Sequence, residues 1–164
     1  MAVREFELFH GAVLTKLVRS DRPITLRMIE TNPSEAWSTY KVNDEVRLLV
    51  KHSTNQRVLE RRSGGRSWTF VFGVDQLRQL QAGVGEKKVF AALVCGGKDV
   101  KRDVMQVCLL DDEQIGAVLD VSSTRACSLT IRYFPGKELR VLRERREVLR
   151  VPQSRLEKWV VPGS

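Results

Sequence analysis

The chain has 164 residues, 42% of them hydrophobic, which is enough to bury one core and too few for two ordinary domains. Its net charge of +8 and pI near 9.8 rest mostly on arginine, whose planar fork suits phosphate and carboxylate, so the expected partner is nucleic acid or an acidic protein surface. No run approaches the roughly 20 apolar residues of a membrane span, and Arg4, Glu5 and Glu7 interrupt any secretory h-region.

From Val3 to Arg19, Phe6, Phe9, Val13 and Leu17 recur at helical spacing, which predicts a helix. Pro23 opens a strand-like run, Ile24 to Glu30, ended by the turn chemistry of Thr31-Asn32-Pro33-Ser34. A run from Ala36 to Val42 meets another from Glu45 to Ser53 across Asn43-Asp44, which tolerate the positive φ of a two-residue hairpin turn. That register sets Thr39 opposite Leu48, Trp37 opposite Val50 and Glu35 opposite His52, and the short turn before it brings Glu30 near Glu35.

Asn55 to Arg66 reads as a polar loop ending in the flexible Gly64-Gly65, followed by an aromatic strand, Ser67 to Phe72. Val74 to Gln81 is a second helix stopped by Gly83-Val84-Gly85. Val89 to Cys95 and Val104 to Leu110 are apolar runs of the kind buried on both sheet faces. Asp111 or Asp112 caps a third helix to Leu119, and Ser128–Phe134 with Leu139–Leu142 forms a hairpin around Pro135-Gly136. Glu144 to Arg150 fits strand or helix, and Pro152 and Pro162 bracket a helical turn from Ser154 to Trp159. The expected fold is a single α/β (α+β) domain with a mixed, largely antiparallel sheet flanked by helices and a β-rich C-terminal extension.

Cys95, Cys108 and Cys127 are odd in number, widely spaced and set among apolar neighbours, so they read as core thiols of a cytoplasmic protein. Neither they nor His10 and His52 form the close pairs that zinc requires. Gly83 to Lys88 lacks the glycine spacing and the Lys-Ser or Lys-Thr of a phosphate loop, so no nucleotide cofactor is expected.

The candidate catalytic group is Glu30, Glu35, Lys51 and His52 at one end of the predicted sheet. Two carboxylates, Glu30 and Glu35, suit a magnesium ion, and Lys51 suits a phosphate or the charge developing in phosphoryl transfer. Lys51 and His52 fall on opposite faces, and surface salt bridging at a strand end is the alternative reading of the same residues. The candidate backbone contacts are Arg57, Arg61, Arg62 and Arg66 in one loop, and Arg140, Arg143, Arg145, Arg146 and Arg150 near the C-terminus. Trp68 beside the first cluster is a candidate for stacking on a base, or a core residue.

The order helix, three-strand meander, helix, buried strand resembles the core of the restriction-endonuclease-like superfamily, the PD-(D/E)XK nucleases, over roughly Val3 to Cys95. Leu49-Val50-Lys51 stands where that family has its acid-any-lysine triplet, with leucine in place of the acid; Glu35 or Glu30 matches the first acid and Glu7 the helical one. The run of predicted strands has one more than that core. The resemblance divides the domain, residues 1–164, into a nuclease-like core at 1–97 and added strands, a helix and a basic extension at 98–164. It implies magnesium-dependent phosphodiester cleavage of DNA or RNA, in repair, restriction or defence. The expected function is therefore nucleic-acid binding on a nuclease-like core; a non-enzymatic subunit docking an acidic protein partner is the alternative.

Overall fold

The computed structural model describes residues 4–19, 23–83, 88–99 and 101–160. Among them the α-helices are α1 (Glu5–Val18), α2 (Val74–Gln81) and α3 (Asp112–Val118). Its ten strands are β1 (Leu26–Asn32), β2 (Trp37–Val42), β3 (Val46–Ser53), β4 (Arg57–Val58), β5 (Arg66–Phe72), β6 (Val89–Cys95), β7 (Gln106–Leu110), β8 (Cys127–Tyr133), β9 (Leu139–Arg143) and β10 (Arg146–Val151). The expected Val84-Gly85 part of the helix stop, Pro162, and the start of the first helix at Val3 lie outside the described residues.

The strands form two sheets of five. Sheet A runs β1-β2-β3-β6-β7, antiparallel except for the parallel pair β3 and β6, and sheet B runs β10-β9-β8-β5-β4, antiparallel throughout. The α+β class expected from the sequence is what forms. The aromatic strand β5 is not part of sheet A, and with β4 it joins the C-terminal strands as sheet B. The segment after Glu144, open between strand and helix in sequence, is the strand β10, hydrogen-bonded to β9 across a turn at Glu144 and Arg145, both with positive φ.

Strand alternation builds a layered core. On one face of sheet A, Val46, Leu48 and Val50 of β3 and Ala92 and Val94 of β6 pack against Phe9, Val13 and Leu17 of α1. On the other face, Leu49, Ala91, Leu93 and Cys95 meet Trp68, Phe70 and Phe72 of β5, Leu129 and Ile131 of β8, and Leu77, Leu80 and Ile115 of α2 and α3. Every residue of β6 is buried, as its unbroken apolar run requires of a strand covered on both faces. Gly96, at its end, has no room for a side chain: a Cβ there would stand 2.5 Å from the Phe9 ring. Its carbonyl accepts the Trp68 indole N–H at 2.7 Å, tying sheet B to sheet A.

The β2–β3 register differs from expectation by one residue. Val42 pairs with Val46, Thr39 with Leu49 and Trp37 with Lys51, so the loop holds three residues, Asn43 to Glu45. Asn43 and Asp44 do adopt positive φ, 54° and 56°. Asn43 is clamped to Thr25 in both directions, its N–H donating to the Thr25 carbonyl and its side-chain oxygen accepting the Thr25 N–H, each at 2.9 Å. Val42 is thereby the last ladder residue, and Glu45 becomes loop. Because cross-strand partners share a face, the shift moves Trp37 and Thr39 to the side of Lys51, and Ser38 and Tyr40 to the side of Val50. Among the described residues, no helix is long and apolar enough to cross a membrane.

Candidate functional site

Adjacent residues of β3 serve two different polar clusters. Lys51 lies on the face shared with α2 and sheet B, and is only 6% exposed. Its Nζ donates to Gln76 Oε1 at 2.8 Å and to the Glu35 carbonyl at 3.4 Å, and sits 5.4 Å from the centroid of the Phe72 ring. Burial lowers its pKa to about 8, with the Glu35 charge opposing. Glu35 accepts the Trp37 indole N–H at 3.1 Å and the Gln76 amide at 3.5 Å. Glu30, on β1 opposite Thr39, accepts the Gln79 amide at 2.6 Å, and Gln79 in turn accepts from Arg47.

Glu30, Glu35 and Lys51 therefore gather along α2, held by two glutamines one helical turn apart. The expected pairing of Glu35 with His52 across the hairpin does not form; the His52 N–H donates to Ala36 instead, because of the register shift. Each carboxylate is engaged by side-chain N–H donors, and among the described residues no three His, Cys, Asp or Glu groups come together around a common point. Leucine at position 49 is part of the hydrophobic core.

His52 lies on the α1 face, in a chain of buried polar groups. Its Nδ1 is 2.9 Å from Nε2 of His10, and His10 Nδ1 is 2.8 Å from Ser38 Oγ, which donates to Tyr40 Oη at 3.0 Å. At the outer end, His52 Nε2 is 3.2 Å from Glu5 Oε1. Phe6 stacks on His10 and Phe9 on His52, with centroids 4.0 and 5.3 Å apart. Burial, then the charges of His52 and Lys51, lower the His10 pKa to about 3 against the Ala36 backbone contact. Burial lowers that of His52 too, opposed by Glu5. An imidazole-to-imidazole hydrogen bond needs one N–H and one lone pair, so it cannot survive protonation of both rings. The helical acid that reaches β3 is Glu5, not Glu7, whose carboxylate accepts the Arg4 N–H at the start of α1.

The arginines are redistributed by sheet B. In its outer face, Arg150 pairs with Arg140, Arg140 with Arg132, Arg132 with Ser67 and Ser67 with Arg57, so four arginines stand in one row across five strands. At about 4.8 Å between strands the row spans about 19 Å. The loop cluster and the C-terminal cluster of the sequence thus contribute to a single surface, with Arg132 as the link between them. Arg61 and Arg62 are exposed in the turn at the same end of the sheet. Arg143, Arg145 and Arg146 lie at the opposite end, around the β9–β10 turn. Arg66 faces away from the row by alternation, and its guanidinium donates to the neighbouring Gly65 carbonyl. Trp68 is 1% exposed in the core and offers no surface to a base.

Glu147 sits among these charges. Its Oε1 accepts from Arg150 Nε at 2.5 Å, and that hydrogen bond, with the charges of Arg150, Arg140 and Arg132, holds its carboxyl below the usual range. The Gly64-Gly65 segment is packed against Phe134 and Pro135, and a Cβ on Gly65 would stand 2.8 Å from the Phe134 ring. The Arg140 guanidinium caps that ring 4.8 Å from its centroid. Comparison of the chain with protein-family models, with curated proteins and with solved structures returns no match.

Proposed function

We propose that this protein binds nucleic acid through the outer face of sheet B, with Arg57, Arg132, Arg140 and Arg150 contacting backbone phosphates. The observation that carries the reading is the row itself. Like charges directly opposite each other on neighbouring strands destabilise a sheet, and here two consecutive cross-strand pairs are Arg–Arg. Two carboxylates, Glu147 and Glu138, offset part of that repulsion at Arg150. A polyanion laid along the row would relieve the rest, and arginine contacts of this kind neutralise phosphates without reading sequence.

Cleavage is not part of the proposal. Lys51 is packed between the sheets against Phe72, whereas the row is on the far side of sheet B, so a backbone lying on the row does not reach the Glu35–Lys51–Gln76 cluster. The helix, meander, helix, buried-strand order along sheet A supports a nuclease-like framework, used here as a scaffold rather than as a catalyst.

Fluorescence anisotropy with labelled oligonucleotides from 50 to 200 mM salt tests the reading. The triple variant Arg132→Gln/Arg140→Gln/Arg150→Gln is expected to flatten the slope of log affinity against log salt by about 3, since each phosphate contact contributes about 0.9. An unchanged slope would remove the row from the interface. Absence of binding to any oligonucleotide, with or without magnesium, would hand the surface to an acidic protein partner.

A second variant acts in the opposite direction. Glu147→Gln removes the internal carboxylate that occupies Arg150, so affinity is expected to rise by about threefold at low salt. Unchanged or weaker binding would mean that Arg150 is not a phosphate contact.

A further inference from the structure

We infer that two copies of this protein pair through β1, the edge strand of sheet A, as an antiparallel dimer with two-fold symmetry. β1 has β2 on one side, and among the described residues no strand lies beyond it. Met28 and Ile29 at its middle are 52% and 40% exposed, so two large apolar side chains stand on a strand with a free edge. Such an edge is a template for another strand. Backbone parity shows what it offers. Thr25 exchanges hydrogen bonds with Asn43, so Arg27, two residues on, also turns its backbone groups to β2, and Leu26 and Met28 turn theirs outward. On β2 the Val42 carbonyl accepts the Glu45 N–H on the β3 side; Tyr40 and Ser38 alternate with it, which leaves Thr31, opposite Ser38, outward as well.

The bulge in β1 points to a second copy as the occupant. The register slips by one residue between Met28 and Glu30, so Arg27, opposite Lys41, and Glu30, opposite Thr39, stand on the same face of sheet A. The contacts agree, since Glu30 accepts the Gln79 amide from α2, and Arg47, the β3 partner of Lys41, donates to the same glutamine. A two-fold axis through the bulge sets bulge against bulge and keeps the strands in step on either side. Arg27 then stands opposite Glu30 of the second copy, and the symmetry repeats the pair. Leu26 meets Thr31 and Met28 meets its own equivalent, so outward backbone groups face outward backbone groups. Met28 and Ile29 of both copies form an apolar centre between the two ion pairs, with the charges at the rim. Within one chain Arg27, Lys41 and Arg47 lie side by side across β1, β2 and β3, like charges that destabilise a sheet. Asp44, 3.6 Å from Arg27, offsets part of this, and Glu30 of the second copy offsets more.

The inference concerns sheet A and stands apart from the nucleic-acid reading of sheet B. Sedimentation equilibrium of the full chain, freed of nucleic acid, tests it, and the wild type is expected to dimerise as concentration rises. Arg27→Glu and Glu30→Arg each set like charges opposite one another at both ends of the interface and are expected to weaken the dimer by about tenfold or more. The double reversal Arg27→Glu/Glu30→Arg restores opposite charges and is expected to recover association. Both positions are exposed, and circular dichroism checks that each variant folds. A wild type that stays monomeric, a dimer indifferent to the single reversals, or a double reversal that fails to recover association would overturn the pairing.

Discussion

Acidification from about pH 6.5 toward pH 3 is expected to destabilise the fold by about 1.4 kcal/mol per pH unit through His10 alone. The folded protein resists protonating this ring until about pH 3, because it is buried beside His52 and near Lys51. In the unfolded chain the same ring takes a proton near pH 6.5. Between these values the unfolded state binds more protons, so each added unit of acid favours it; the contribution is fully present above about 6.5 and is lost as pH falls toward 3. His52, lowered in the same direction, adds to the slope. Structurally, the rings join α1 to β3 through one hydrogen bond that double protonation breaks, while Phe6 and Phe9 keep water from the site. Urea denaturation of wild type and His10→Gln between pH 4.5 and 7.5 isolates the effect from the carboxylates common to both. The gap between the two proteins should change by about 1.4 kcal/mol per unit below about pH 6.5 and level off above it, and parallel profiles would show that His10 takes up its proton as readily in the folded as in the unfolded chain.

The second large effect belongs to the neighbouring residue and to the alkaline side. Lys51 has a folded pKa of about 8, lowered by burial, against an ordinary value of 10.5. From about pH 8 to 10.5 the unfolded chain holds the lysine proton that the folded chain gives up, so stability rises with pH through this group. Below about 8 both states are charged and the slope vanishes. Relative to Lys51→Met, which has no titrating amine, the wild type should gain about 1.4 kcal/mol per pH unit over that window. Chemical denaturation of both proteins at pH 7, 8, 9 and 10 measures it. A constant difference would place the Lys51 pKa near its ordinary value and its ammonium in contact with water. Together the two residues predict a plateau of stability between about pH 6.5 and 8, with His10 acting below it and Lys51 above.

Much of the framework was legible from the sequence because the determining interactions are local. The apolar run Val89–Cys95 could only be a strand covered on both sides, and β8 and β9 follow from alternation around Pro135-Gly136. The face assignment around β3 was not legible, because it turned on one loop residue. Glu45 leaves the ladder when Asn43 is clamped to Thr25, a contact 18 residues away in sequence. That single step decides that Trp37 stands beside Lys51 and Ser38 belongs to the histidine chain.

The functional surface was legible in kind and not in arrangement. Arginine clusters stand out along the chain, but Arg132 is a lone arginine between Ile131 and Tyr133, and only pairing with Arg140 and Ser67 gives it a place. Nothing local in the sequence gives Glu5, His10, Gln76 and Gln79 their places in the two clusters, since their partners lie tens of residues away. A cue for Arg132 existed in the alternation of β8, where Ser128, Thr130 and Arg132 are the polar positions. Trp68 was conspicuous by residue type, and its burial follows from the same alternation in β5.

The way sheet B is stitched together bears on when the protein becomes competent. Thr69 and Thr130 meet across β5 and β8 although 61 residues separate them, and the intervening chain supplies α2, β6, β7 and α3. Such long closures are slow, because the loop entropy is lost before the contacts that compensate it exist. During synthesis, β5 must wait with Trp68, Phe70 and Phe72 uncovered until β8 emerges, the stage at which the growing chain is most exposed to aggregation. The row from Arg57 to Arg150 is assembled last, since its two ends are contributed by strands at opposite ends of that closure. An unfinished chain carries the arginines without the row, so the basic surface is a property of the completed molecule and not of any fragment released on the way.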